Sequence, residues 1–171
     1  TQFGMLSSHA RYHGTSAREP WEYPGVADLV RKWWRLRYAL IPYLRREGAR
    51  CGETGLPMMA ALLFHHADDP TVRHIDDQYY LGRSLLAAPV MNDAGSRVVY
   101  LPEGTWVDFF SGEVLEGHRW YYRASTPAAC PLFVRAGSVL PVYPDRVGGT
   151  DQMDDSRVVE IAFDSDYGGL P

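Results

Sequence analysis

Cysteine is scarce. The 171 residues hold two, Cys51 and Cys130, far apart in sequence. They form neither a C-x-x-C metal spacing nor a disulfide framework, and two free thiols, as in a reducing compartment, are expected. Positive charge is not in excess: 17 Lys and Arg face 21 Asp and Glu, a net charge of −4. Nucleic-acid binding needs a basic face for phosphates, so no nucleic-acid partner is expected. No apolar run reaches the roughly 20 residues that span a bilayer, so no membrane partner is expected either. No signal peptide is visible. The chain opens on Thr1 rather than methionine, so an upstream part of the same chain is expected. Internal repeats and low-complexity tracts are also lacking.

What is present is a chain able to build a core. Apolar residues make up 46%, too many for wholesale disorder. Aromatics are plentiful, with 5 Trp, 11 Tyr and 6 Phe; they serve both sugar-stacking clefts and β-sandwich cores.

Residues 1–26 read as a short strand end followed by a polar loop. Turn formers from Ser7 to Tyr23 surround His9, Arg11, His13, Arg18, Glu19, Trp21 and Glu22. Such loops are where functional groups collect. Residues 28–47 read as a helix with Asp28 as N-cap. Leu29, Trp33, Leu36, Leu40 and Leu44 share one face. Pro42 should kink this helix, and Gly48, Gly52 and Gly55 should end it. Beyond Pro57 the pattern changes to short strands. Met58–Phe64, Ser84–Val90, Arg97–Leu101, Thr105–Phe110, His118–Arg123, Pro131–Val134, Ser138–Tyr143 and Arg157–Phe163 alternate with Gly/Pro turns. That spacing predicts an antiparallel β-sandwich. A lone helix with one strand end is no domain, so the first 55 residues read as the last unit of a larger one.

Five segments, in order, carry a resemblance. They are Arg11-Tyr12-His13-Gly14 running to Arg18-Glu19-Pro20-Trp21; Leu36 to Leu44 with its proline; Asp77-Gln78-Tyr79-Tyr80-Leu81-Gly82 leading to Leu85–Val90; Leu101-Pro102-Glu103-Gly104-Thr105-Trp106-Val107-Asp108; and Pro131 to Pro141. Together they resemble glycoside hydrolase family 31, the α-glucosidases and α-xylosidases. The resemblance implies an α/β plus all-β fold: the last unit of a TIM (β/α)8 barrel over 1–55, a β-sandwich over 56–146, and a connector opening a further β domain over 147–171. Two departures stand out. Ala60 replaces an arginine frequent in the family, and His65-His66-Ala67 replace Glu-Phe-Pro. Loss of both partners of an ion pair is a neutral swap, whereas loss of one would strand a charge.

The implied activity is that of a retaining α-glycosidase acting on terminal α-glucosyl or α-xylosyl residues. Such enzymes place two carboxyl groups about 5 Å apart across the bond. The family's Trp-x-Asp-Met-Asn-Glu-like nucleophile motif does not occur here, so no carboxylate of this chain is assigned to catalysis. The implied substrate-binding residue is His13, whose imidazole can donate to or accept from a sugar hydroxyl; Arg11 is the second candidate. Trp21 reads as packing its own turn, and Arg18 with Glu19 as a loop-bracing pair. His65, His66, Asp68, Asp69, His74, Asp76 and Asp77 invite a metal reading. It fails because adjacent histidines in a strand would point to opposite faces. No metal and no cofactor is expected. The expected partners are an oligosaccharide or glycoside and the upstream part of the same chain, with a homo-oligomer left open. The rival reading is a non-catalytic carbohydrate-binding β-sandwich module with a helical extension.

Overall fold

A computed structural model describes residues 1–169. Three helices precede the strands: α1 (Gln2–Met5), α2 (Ala27–Ala39) and α3 (Ile41–Thr54). The expected strand end at the start is instead α1. No neighbouring strand reaches it among the described residues, so its backbone bonds locally: Met5 N donates to Thr1 O at 2.9 Å and Leu6 N to Gln2 O at 3.2 Å.

The expected single helix over 28–47 is two helices. They meet at Leu40, with φ −84° and ψ −2°. Pro42 has no N–H, and its ring would strike the carbonyl four residues back, so the chain restarts with proline in the first turn of α3. Gly48 and Gly52 remain helical. Gly55, at φ +73°, is the residue that stops α3. Asp28 is not the N-cap; Val26 is, and Asp28 pairs with Arg31 one turn on. The apolar face behaves as read. Trp33 and Leu40 are buried, and Leu29, Leu36 and Leu44 pack on the same cluster.

Ten strands follow. The main sheet has six, in the order β1 (Met59–Ala61), β2 (Tyr79–Leu81), β3 (Leu85–Ala87), β8 (Leu132–Arg135), β5 (Thr105–Asp108) and β6 (Val114–Glu116), with every pairing antiparallel. β4 (Ser96–Leu101) and β7 (Arg119–Ala124) form a separate ribbon over six paired positions. β9 (Ser138–Val142) pairs with β10 (Val159–Phe163) over five. Hence the Pro102-Glu103-Gly104 turn carries the chain from the ribbon into the main sheet rather than closing a hairpin.

The Met58–Phe64 run is not one buried strand. β1 stops at Ala61, where its partner β2 begins at Tyr79. The following residues bond locally in a 3-10 turn, Leu62–Phe64, and leave Leu63 and Phe64 exposed. β2 and β6 lie outside every predicted strand, each only three residues long.

The main sheet is buried on both faces, and its side chains sort by the strand period of two. Leu81, Leu85, Val107, Leu132 and Val134 meet the helices together with Leu140 and Phe163. Tyr80, Leu86, Trp106 and Phe133 meet Val99, Tyr100 and Leu101 of the ribbon. Each such buried side chain contributes about 1.5–3 kcal/mol. Polar ends find partners: Trp106 Nε1 donates to Pro102 O at 2.8 Å, and Trp33 Nε1 to Pro127 O at 2.8 Å. The segment after residue 147 returns to this core, with Phe163 stacked on Phe109 at 5.6 Å and Tyr167 Oη donating to Phe109 O.

Candidate functional site

The polar loop between α1 and the 3-10 turn Pro20–Glu22 has a fixed root and an open tip. At the root, Leu6 and Ser7 are buried. Arg37 of α2 reaches back to donate to Met5 O at 2.9 Å, Ser7 O at 2.6 Å and Ser8 O at 3.1 Å. Burial draws its pKa below the ordinary arginine value, while the carbonyls take up its donors. Tyr79 Oη of β2 donates to Leu6 O at 3.1 Å. The Ser7 hydroxyl lies 2.7 Å from both Gly4 O and His9 O, serving one at a time. Ala10 packs on the helix-side core.

The tip begins immediately after Ala10. Arg11, Tyr12, His13 and Gly14 are all exposed. Among the described residues no hydrogen bond holds the His13 ring, and no ion pair holds Arg11. Tyr12 leans toward Trp34 of α2, with ring centroids 6.2 Å apart. His13 and Arg11 thus share one short stretch facing open space. Trp21 does not pack its own turn: it is 73% exposed. Glu19 braces the loop differently from expectation, accepting from the Arg18 backbone N–H at 2.9 Å rather than from its side chain.

The histidine pair needs another correction. His65 and His66 follow a 3-10 turn, not a strand, so they do not point to opposite faces. Both rings lie on Tyr80, with centroids 4.7 and 5.8 Å away, and His66 Nε2 is 2.7 Å from Tyr80 Oη. Desolvation, then nearby arginine charge, lowers both imidazole pKa values. Ala60 sits opposite Tyr80 in the ladder. The two histidines and Tyr80 thus form one contact at this end of β1. Nearby, Asp69 caps the 3-10 helix Pro70–His74 and accepts from Tyr100 Oη at 2.5 Å. Asp77 pairs with Arg97 at 2.6 Å. Among the described residues no three His, Cys, Asp or Glu side chains gather as a metal site would require.

Two polar residues escaped the sequence reading. Arg37 follows Trp33 by four, and Glu47 follows Leu40 by seven and Leu44 by three. That spacing places both beside buried apolar positions, the one signal available. Glu47 is 4% exposed; it binds Arg50 at 2.7 Å and accepts from Arg83 N at 3.1 Å.

Comparison with known proteins agrees with this architecture. Residues 1–46 match the Glycosyl hydrolases family 31 TIM-barrel domain, and residues 55–140 match the Glycosyl hydrolase family 31 C-terminal domain. The chain is 33% identical over 165 residues to alpha-glucosidase 2 of Bacillus thermoamyloliquefaciens, covering 94% of this chain and 21% of that protein. It is 36% identical over 151 residues to an alpha-xylosidase of Emericella nidulans, covering 82% of this chain and 19% of that one. A family 31 dextranase of Flavobacterium johnsoniae, solved as a mutant complexed with isomaltotriose, superposes with a TM-score of 0.85 at 32% identity, over 96% of this chain and 21% of its own. The chain thus spans about a fifth of the length of the curated relatives it matches. The helices and the loop at their head are the end of a TIM barrel, the antiparallel sheets are the β-sandwich that follows it, and the chain belongs to glycoside hydrolase family 31.

Proposed function

We propose that this chain is part of a retaining α-glycosidase that releases terminal α-glucosyl or α-xylosyl residues. Its contribution is the substrate loop: His13 hydrogen-bonds a sugar hydroxyl, with Arg11 beside it, and the bond-cleaving carboxylates lie elsewhere in the protein. In this reading residues 1–55 close the catalytic barrel, 56–146 form the supporting sandwich, and 147–171 first add β10 to that sandwich and then connect toward a further β unit. The observation that carries it is the contrast along one loop. The backbone up to Ala10 is fastened by Arg37, Tyr79 and core packing, and the Arg11–Gly14 tip follows at once, exposed. Barrel enzymes build their sites from such loops on a rigid scaffold. The barrel match over 1–46 favours this over a free-standing binding module.

The test is His13→Ala in the full-length enzyme. Loss of one hydrogen bond near developing charge should cost on the order of 1.5–3 kcal/mol of transition-state binding, read as a fall in kcat/KM on aryl α-glycosides. An unchanged kcat/KM would remove His13 from the site.

A further inference from the structure

We infer that Arg37 is a positioning residue for the substrate loop: its guanidinium fixes the carbonyls of Met5, Ser7 and Ser8 and thereby sets where His13 stands. The inference rests on the reading of His13 given above. Three carbonyls from one short stretch converge on one side chain, at 2.9, 2.6 and 3.1 Å. Two donors come from Nη1 and one from Nη2, so the planar fork itself is used. A lysine ammonium has a single nitrogen and cannot reproduce that spread. Arg37 comes from α2, whose Trp33 is buried in the core. The fork is therefore mounted on a fixed element.

Tethering at Ser8 limits how far His13 can move. Five residues reach at most about 18 Å when fully extended. Ala10 packs on the core within that span, leaving three residues of free lead. Release of the root would let the tip wander, and displacement of a substrate contact by about 1 Å can cost on the order of a hundredfold in rate. Arg37 itself stays at the loop root and acts through the backbone.

The test is a double-mutant cycle in the full-length enzyme, with kcat and KM measured for wild type, Arg37→Met, His13→Ala and the pair. Arg37→Met should lower kcat/KM roughly tenfold to a hundredfold. In the His13→Ala background it should add little further loss, because one interaction has already been removed. Arg37→Lys should restore only part of the activity. In a crystal structure of Arg37→Met the B-factors of residues 8–14 should rise while those of the β2, β3 and β8 strands stay unchanged. If Arg37→Met does not fold, Arg37→Lys takes its place in the cycle and must show the same non-additivity. Losses that multiply, or a silent Arg37 variant beside a damaging His13→Ala, overturn this inference alone. A silent His13→Ala overturns both it and the reading of His13.

Discussion

Glu47 and Tyr43 show how single residues fasten the barrel end to the sandwich. Tyr43 Oη donates to Leu81 O at 2.7 Å and accepts from Ser84 N at 3.2 Å, so one buried hydroxyl serves the turn between β2 and β3. Gly82 sits in that turn at φ +68°, where a Cβ would fall 2.4 Å from Tyr43 Oη and 2.5 Å from Glu47 Cγ. Gly82→Ala should therefore destabilise the protein by about 2–4 kcal/mol, combining left-handed strain with overpacking. A lowered thermal midpoint of the full-length variant would show it; an unchanged midpoint would mean the turn is slack. The histidines give a pH effect of definite sign. His65 and His66 have folded pKa values below the ordinary 6.5, chiefly through desolvation. Their contribution is complete above about pH 6.5 and is lost as pH falls through the lowered folded values. Thermal midpoints from pH 7.5 downward should fall, and His66→Gln should flatten that fall. Both rings remain partly exposed, so the change is modest. His13 is a candidate through its motif alone. Arg37 was not legible, because its partners lie about thirty positions earlier, where no local period reports them.

Among elements, α2 is the joint between the loop and the sandwich. Its Trp33 is 1% exposed, packs edge-on against Phe110 at 6.3 Å, and bonds Pro127 O beyond β7. Trp33→Ala should cost about 3–5 kcal/mol, the range for emptying a large aromatic site. Calorimetry of the full-length variant would check this, and a loss under about 1 kcal/mol would show that the site collapses freely. This face was readable from the steps of three and four between its apolar residues. The break at Leu40 was readable as a kink from Pro42, but its conversion into two helices was not. Strand existence was readable where apolar runs met Gly/Pro turns, as in β3, β8 and β9. β2 and β6 were missed because three residues show no period. The Met58–Phe64 run misled because apolar content does not reveal where a partner strand begins.

At the scale of the whole molecule, two layers of burial hold one sheet between barrel helices and a β ribbon, and the polar loop with the exposed Arg11–Gly14 tip rises from the helix side. The order of five motifs made this architecture legible, whereas composition left enzyme and binding module unresolved. The pairing of β10 with β9 was invisible, since the 16 residues between them carry no strand signal. In the function proposed above, the exposed tip of this loop meets the sugar. A structure of the full-length enzyme with a bound glucosyl or xylosyl ligand tests it most directly. A His13 ring nitrogen should lie about 2.7–3.2 Å from a sugar hydroxyl, with the Met5–Ser8 carbonyls still on Arg37. A bound sugar contacting neither His13 nor Arg11 would take this loop out of the site.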